Sequence, residues 1–118
     1  RIIEEMKEKP KVVLWENVKG VLDKNMRASF FHYLKEMERL GYESKYKILN
    51  AMDFGIPQNR KRIFVVSIYG ENDFDFETLK KVETRSIDDF LEKGVSDLYE
   101  VRQESMFRYL VEIIIEVI

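Results

Sequence analysis

A change of hydrophobic period at Gly41 constrains this chain more than any other feature. From Asn25 to Leu40 the apolar positions Met26, Phe30, Tyr33, Leu34, Met37 and Leu40 recur every three or four residues, the spacing of one buried helix face. Gly41 stands where a helix C-cap glycine is expected, and beyond it Tyr42, Ser44, Tyr46 and Ile48 alternate with charged residues, the period of a strand. A further run, Arg62 to Tyr69 (RIFVVSIY), is rich in β-branched and aromatic residues. Val12, Val13, Leu14 and Trp15 precede the helix as a continuous apolar run, the pattern of a parallel strand buried on both faces and ending at Glu16-Asn17. The order strand, helix, strand, strand predicts an α/β chain that closes one side of a sheet, its last two strands antiparallel.

Arg1 to Lys9 reads as the end of a helix with Ile2, Ile3 and Met6 on one face, stopped by Pro10. A loop from Asn50 to Lys61, broken by Gly55 and Pro57, joins the last two strands. After Gly70 the acidic stretch Glu71 to Glu77 reads as a linker, and Ser86 to Lys93 as a short helix capped by Ser86. Met106 to Ile118 is apolar on too many sides for an isolated surface helix, which suggests packing on something outside the chain or an oligomer contact. The expected division is residues 1–70, a linker over 71–83, and a second segment over 84–118.

Composition closes several function classes. With no cysteine among 118 residues there is no disulfide, thiolate zinc site or cysteine nucleophile, and one histidine, His32 inside the strongest helix, is a poor basis for metal or triad chemistry. The glycines at 20, 41, 55, 70 and 94 are isolated, so no phosphate-cradling or dinucleotide loop can be assembled. No membrane span or signal pattern is found, and a soluble, cytoplasmic protein is expected. The net charge of −2 hides a split: residues 1–70 hold 14 Lys/Arg against 9 Asp/Glu (+5), and residues 71–118 hold 6 against 13 (−7). A polyanion-facing first part is the reading this favours.

Two segments carry candidate chemistry. In LWENVKG (14–20), Glu16 follows an apolar strand, where burial would raise its pKa and let it donate a proton; equally, Glu16 and Asn17 can simply cap a turn. In FGIPQNRKRIF (54–64), Gln58, Arg60 and Arg62 alternate, so an extended backbone presents an amide and two guanidinium groups on one side to an anion or a base edge; a solvated basic start to a strand is the other reading.

Taken together, ENV after an apolar strand, a helix, and FGIPQNRKRIFVVS after an extended segment resemble the DNA cytosine-5 methyltransferase family. Residues 1–11 resemble the lead into its ENV strand, and Thr84 to Tyr99 (TRSIDDFLEKGVSDLY) the start of its target-recognition region. The resemblance covers about residues 1–100. It implies the second half of a Rossmann-like, S-adenosylmethionine-dependent methyltransferase sheet. It also implies double-stranded DNA with a flipped-out cytosine as partner. By position Glu16 matches the glutamate that bonds the base edge at N3 and the exocyclic amine, and Arg62 the arginine near O2. Arg60 and Gln58 match groups at the target nucleotide, and Asn17 an asparagine supporting the nucleophile loop. Without the Pro-Cys motif or a cofactor loop, the chain is expected to be an inactive fragment or one part of a split enzyme, paired with the missing first half of the catalytic domain. A tRNA cytosine-5 methyltransferase and a noncatalytic nucleic-acid-binding or assembly subunit are the alternatives.

Overall fold

The computed structural model describes residues 1–96 together with Leu98, Arg108 and Val111. The chain divides into two compact units, Arg1–Thr84 and Arg85–Ile118. In the first unit, strands β1 (Val12–Val18), β2 (Tyr42–Asn50) and β3 (Lys61–Tyr69) form one sheet in the order β1-β3-β2. β3 is antiparallel to both neighbours, pairing Val12↔Ile68 to Val18↔Arg62 on one edge and Tyr42↔Tyr69 to Asn50↔Lys61 on the other. The antiparallel pairing of the last two strands is as the sequence predicts. β3 begins one residue earlier than expected, at Lys61.

Helix α2 (Arg27–Arg39) fills the predicted helical stretch and lays Phe30 and Met37, both buried, toward the sheet. It ends at Leu40, and Gly41 takes the left-handed conformation at φ +92°. A Cβ there would stand 2.9 Å from the Tyr69 ring, so this position needs glycine for space as well as for backbone angle. Val21, Phe30, Ile63 and Val65 form the core, with Trp15, Leu22, Tyr33 and Leu34 packed around it. Trp15 stacks on Phe30 and Tyr33 at 5.7 and 5.2 Å, and Tyr46 meets the edge of Phe30 at 5.1 Å. This is the face made by Trp15, Tyr46, Ile63 and Val65, because alternate residues of paired strands share one side.

Three expectations are corrected. β1 is not a parallel strand covered on both faces: it pairs antiparallel with β3, it extends through Glu16-Asn17 to Val18, and Val12 and Leu14 are 55% and 65% exposed. The fully buried strand interior belongs to β3, hydrogen-bonded along both edges, with Ile63, Val65 and Ser67 at 0% exposure. The opening helix, α1 (Ile2–Glu5), is present but ends at Glu5, ahead of the expected Lys9, with Met6 already extended and both Ile2 and Met6 exposed. In the second unit, SIDDFLEK makes only a 3₁₀ turn at Ile87–Asp89, where the Ser86 hydroxyl accepts from the Asp88 N–H and Arg85 lies over the Phe90 ring. Apart from Arg108 and Val111, the apolar C-terminal segment lies outside the described residues. Among the described residues no helix is long and apolar enough to cross a membrane.

The stretch read as a linker is fastened to the sheet by Asn72, which is 3% exposed. Its side-chain amide donates to the carbonyls of Glu43 and Val66, its oxygen accepts from the Phe74 N–H, and its own N–H donates to the Glu43 carboxylate. Lys45 donates to the Phe74 carbonyl and Lys47 pairs with Glu77, so the chain after β3 returns along β2. It then bridges Val82 to Phe54.

Asn72→Ala strands buried backbone groups without partners and should lower unfolding stability by about 1–3 kcal/mol, read from urea titration. Burial, then the neighbouring Tyr69, pushes the Tyr42 phenol above its ordinary value, and its O–H donates to the Pro10 carbonyl at 2.7 Å. A raised folded-state pKa gives stabilisation that is complete below the unfolded value near about 10 and is lost as pH rises through the folded value. The urea midpoint should therefore fall above about pH 10, and Tyr42→Phe should flatten part of that fall.

Candidate functional site

The sheet register decides which candidate side chains meet. Glu16 pairs with Phe64, Val18 with Arg62, and Leu49 with Arg62, so Glu16, Phe64, Arg62 and Leu49 share the face opposite α2. There the Arg62 Nε lies 3.4 Å from the Glu16 Oε1, and the Arg62 Nη1 donates to the Lys61 carbonyl at 2.9 Å. The Arg62 side chain is 24% exposed and that of Glu16 47%, so the burial expected of Glu16 from its place after an apolar run is not found: β1 is an edge strand and this face of it is open to solvent. This is an ion pair in contact with solvent, at a distance longer than a charge-assisted hydrogen bond, and so readily exchanged for another partner.

Both groups line a cavity of about 330 Å³. Arg60 reaches it from the β2–β3 connection, and Leu49, Phe54, Phe64 and Leu79 supply an apolar wall. The arrangement sets one carboxylate and two guanidinium groups around a space bounded by aromatic and aliphatic side chains, suited to a planar polar ring whose edge needs both acceptor and donor partners. A larger groove of about 820 Å³ lies elsewhere, among Phe31, Leu34, Lys35, Glu38 and Tyr42, and takes in none of the residues singled out from sequence. Convergent charge against an apolar wall, rather than size, marks the smaller cavity as the candidate site. Among the described residues no group of three or more potential metal-ligating side chains is found.

Not all five sequence candidates converge. Glu16, Arg60 and Arg62 are brought together. Asn17 is adjacent to Glu16 in β1 and therefore points to the other face, where it lines a small cavity of about 180 Å³ beside Trp15 and Met26, its side-chain oxygen accepting from the Val18 N–H at 2.8 Å. Gln58 lies at a bend, its N–H closing onto the Ile56 carbonyl at 2.7 Å, and is not among the residues that line the site cavity. Alternation therefore holds from Arg60 to Arg62 and stops short of Gln58. Sequence reading missed Asn50, Phe64 and Leu79. Phe64 was legible as the residue two beyond Arg62 on the same strand; Leu79 carries no local signal.

The family model for C-5 cytosine-specific DNA methylase matches residues 1–112. The chain belongs to this family. It is 42% identical over 99 residues to the Type II methyltransferase M2.ScrFI of Lactococcus lactis subsp. cremoris, and 40% identical over 104 residues to the Type II methyltransferase M.SsoII of Shigella sonnei. The matches cover 83% and 84% of this chain and 27% of each relative, so this member of the family spans about a quarter of the length of those proteins. Solved structures agree in fold: S. pombe Dnmt2 methyltransferase matches with a TM-score of 0.66 at 21% identity over 94% of this chain and 37% of its own, and the Entamoeba histolytica methyltransferase EhMeth with 0.65 at 21% identity over 84% and 30%. The likeness to these methyltransferase structures is one of fold, in keeping with the α/β methyltransferase fold expected from sequence.

If the paired charges serve chemistry rather than folding, removing them should cost little stability. Glu16→Ala should shift the unfolding free energy by less than about 1 kcal/mol, as expected for a solvent-exposed pair. Ile63→Ala, on the same sheet but in the core, should cost about 2–5 kcal/mol in the same titration.

Proposed function

We propose that this chain supplies the base-polarising half of the active site of a DNA cytosine-5 methyltransferase, as the second half of its Rossmann-like catalytic sheet. The observation that carries the reading is the meeting of Glu16, Arg60 and Arg62 in one apolar-walled cavity. A flipped-out cytosine lies there with N3 and its exocyclic amine toward Glu16 and O2 toward Arg62. The ring takes over the Glu16–Arg62 contact, which at 3.4 Å is loose enough to be replaced. A protonated Glu16 donating to N3, with the fixed charge of Arg62 at O2, draws negative charge from the ring as it builds and makes C6 open to attack. Arg60, one step outside the strand, holds the nucleotide's phosphate or sugar. Asn17, on the opposite face of β1, supports the nucleophile's loop from behind, and Gln58 braces the bend that leads to Arg60.

S-adenosylmethionine is the methyl donor this reading requires, and the cavity does not fit it. Two guanidinium groups against one carboxylate give a net positive lining unsuited to a sulfonium, and the chain's isolated glycines offer no cradle. The donor site and the nucleophilic cysteine are assigned to residues outside these 118, and the isolated chain is an inactive part. The Type II relatives at about 40% identity favour DNA over RNA as substrate. Residues 1–70 carry the catalytic segment, 71–83 connect it onward, and residues 84–118 begin target recognition.

The test uses a polypeptide that adds to this chain the remaining length its relatives have. Glu16→Gln keeps shape but removes the acid function, so single-turnover methylation of duplex DNA should fall by about 10²-fold or more while DNA affinity changes little. Near-normal turnover by that variant, or preferential methylation of tRNA, would overturn the assignment. The 118-residue chain alone should transfer no labelled methyl group.

A further inference from the structure

The ten residues between β2 and β3 place Arg60 at the cavity although it belongs to no strand, and the Asn50 side chain crosses that excursion. Asn50 ends β2 and pairs with Lys61. Its Oδ1 accepts from the Arg60 N–H at 3.0 Å and from the Met52 N–H at 3.4 Å, and its Nδ2 donates to the Asn59 Oδ1 at 3.0 Å. Backbone closure adds one bond, from the Ala51 N–H to the Arg60 carbonyl at 3.1 Å. The Arg60 N–H is shared with the Gln58 carbonyl at 2.9 Å, but a bond spanning two residues is bent and travels with the loop rather than tying it to the sheet.

We propose that Asn50 is the positioning residue of Arg60, an amide clamp that sets where this arginine enters the cavity. The proposal rests on the reading of Arg60 given above. An amide is the one side chain of this length that accepts from two N–H groups and donates to a third partner at once. Alanine removes all three bonds. Aspartate keeps both acceptor bonds, and Asn59 can meet it by turning its own amide group.

The experiment uses the same extended polypeptide and the variants Asn50→Ala, Asn50→Asp, Arg60→Ala and the Asn50→Ala/Arg60→Ala pair. Asn50→Ala should speed hydrogen exchange of the Arg60 amide by about tenfold or more, and Asn50→Asp should retain its protection. Asn50→Ala should lower the single-turnover methylation rate by about tenfold, yet by less than about twofold when Arg60 is already alanine, since the two substitutions remove one function. Unchanged Arg60 exchange in Asn50→Ala would overturn the clamp, as would loss of protection in a folded Asn50→Asp protein or rate effects of Asn50→Ala and Arg60→Ala that simply multiply. If exchange depends on Asn50 but Arg60→Ala methylates normally, the clamp stands and the reading of Arg60 falls.

Discussion

The backbone register of β3 governs both what this unit buries and what it presents. β3 is hydrogen-bonded along both edges, and a slip of one residue against either neighbour would turn every one of its side chains to the opposite face. Ile63 and Val65 would leave the core, and Arg62 would turn from Glu16 toward α2. The core and the charged cavity are therefore two consequences of one ladder, and neither can be altered by sliding a strand without loss of the other.

Two asparagines hold what the ladder alone does not. Asn72 is buried, with its side-chain groups bonded to backbone on two strands and in the turn that follows, and it directs the chain after β3 back along β2. That return carries Leu79 to the cavity and Val82 to Phe54. Asn50 is only partly buried and acts within the β2–β3 connection, where its bonds gather the residues around Arg60. The first is a folding contact whose loss leaves polar groups unsatisfied; the second sets the position of one charged side chain.

The exposure of the Glu16–Arg62 pair is what the proposed site requires. A sealed ion pair would be costly to open, whereas a solvated one at 3.4 Å contributes little to stability and yields to a ligand. In the proposed complex the apolar wall of Phe54, Phe64 and Leu79 would limit water around the bound base and strengthen its polar interactions.

Much of this was legible in consecutive residues. The period change at Gly41 determined α2 and β2, the β-branched run determined β3, and the ENV and QNRKR segments marked Glu16, Arg60 and Arg62. A short pattern failed: SIDDFLEK has helical spacing, but a few residues hold a helix only when a neighbour covers their apolar side. The apolar run of β1 suggests a parallel strand and the structure pairs it antiparallel, because hydrophobicity reports burial tendency and says nothing of which strand lies alongside. Tertiary structure alone decided that β3 lies between β1 and β2, that Glu16 and Asn17 part to opposite faces, that Gln58 stays at a bend, and that Leu79 and Asn50 join the site. The reason is physical: periodicity is set by side chains a turn or a pleat apart, whereas strand order and cavity walls are set by hydrogen bonds and contacts between groups far apart in the chain, which no local window contains.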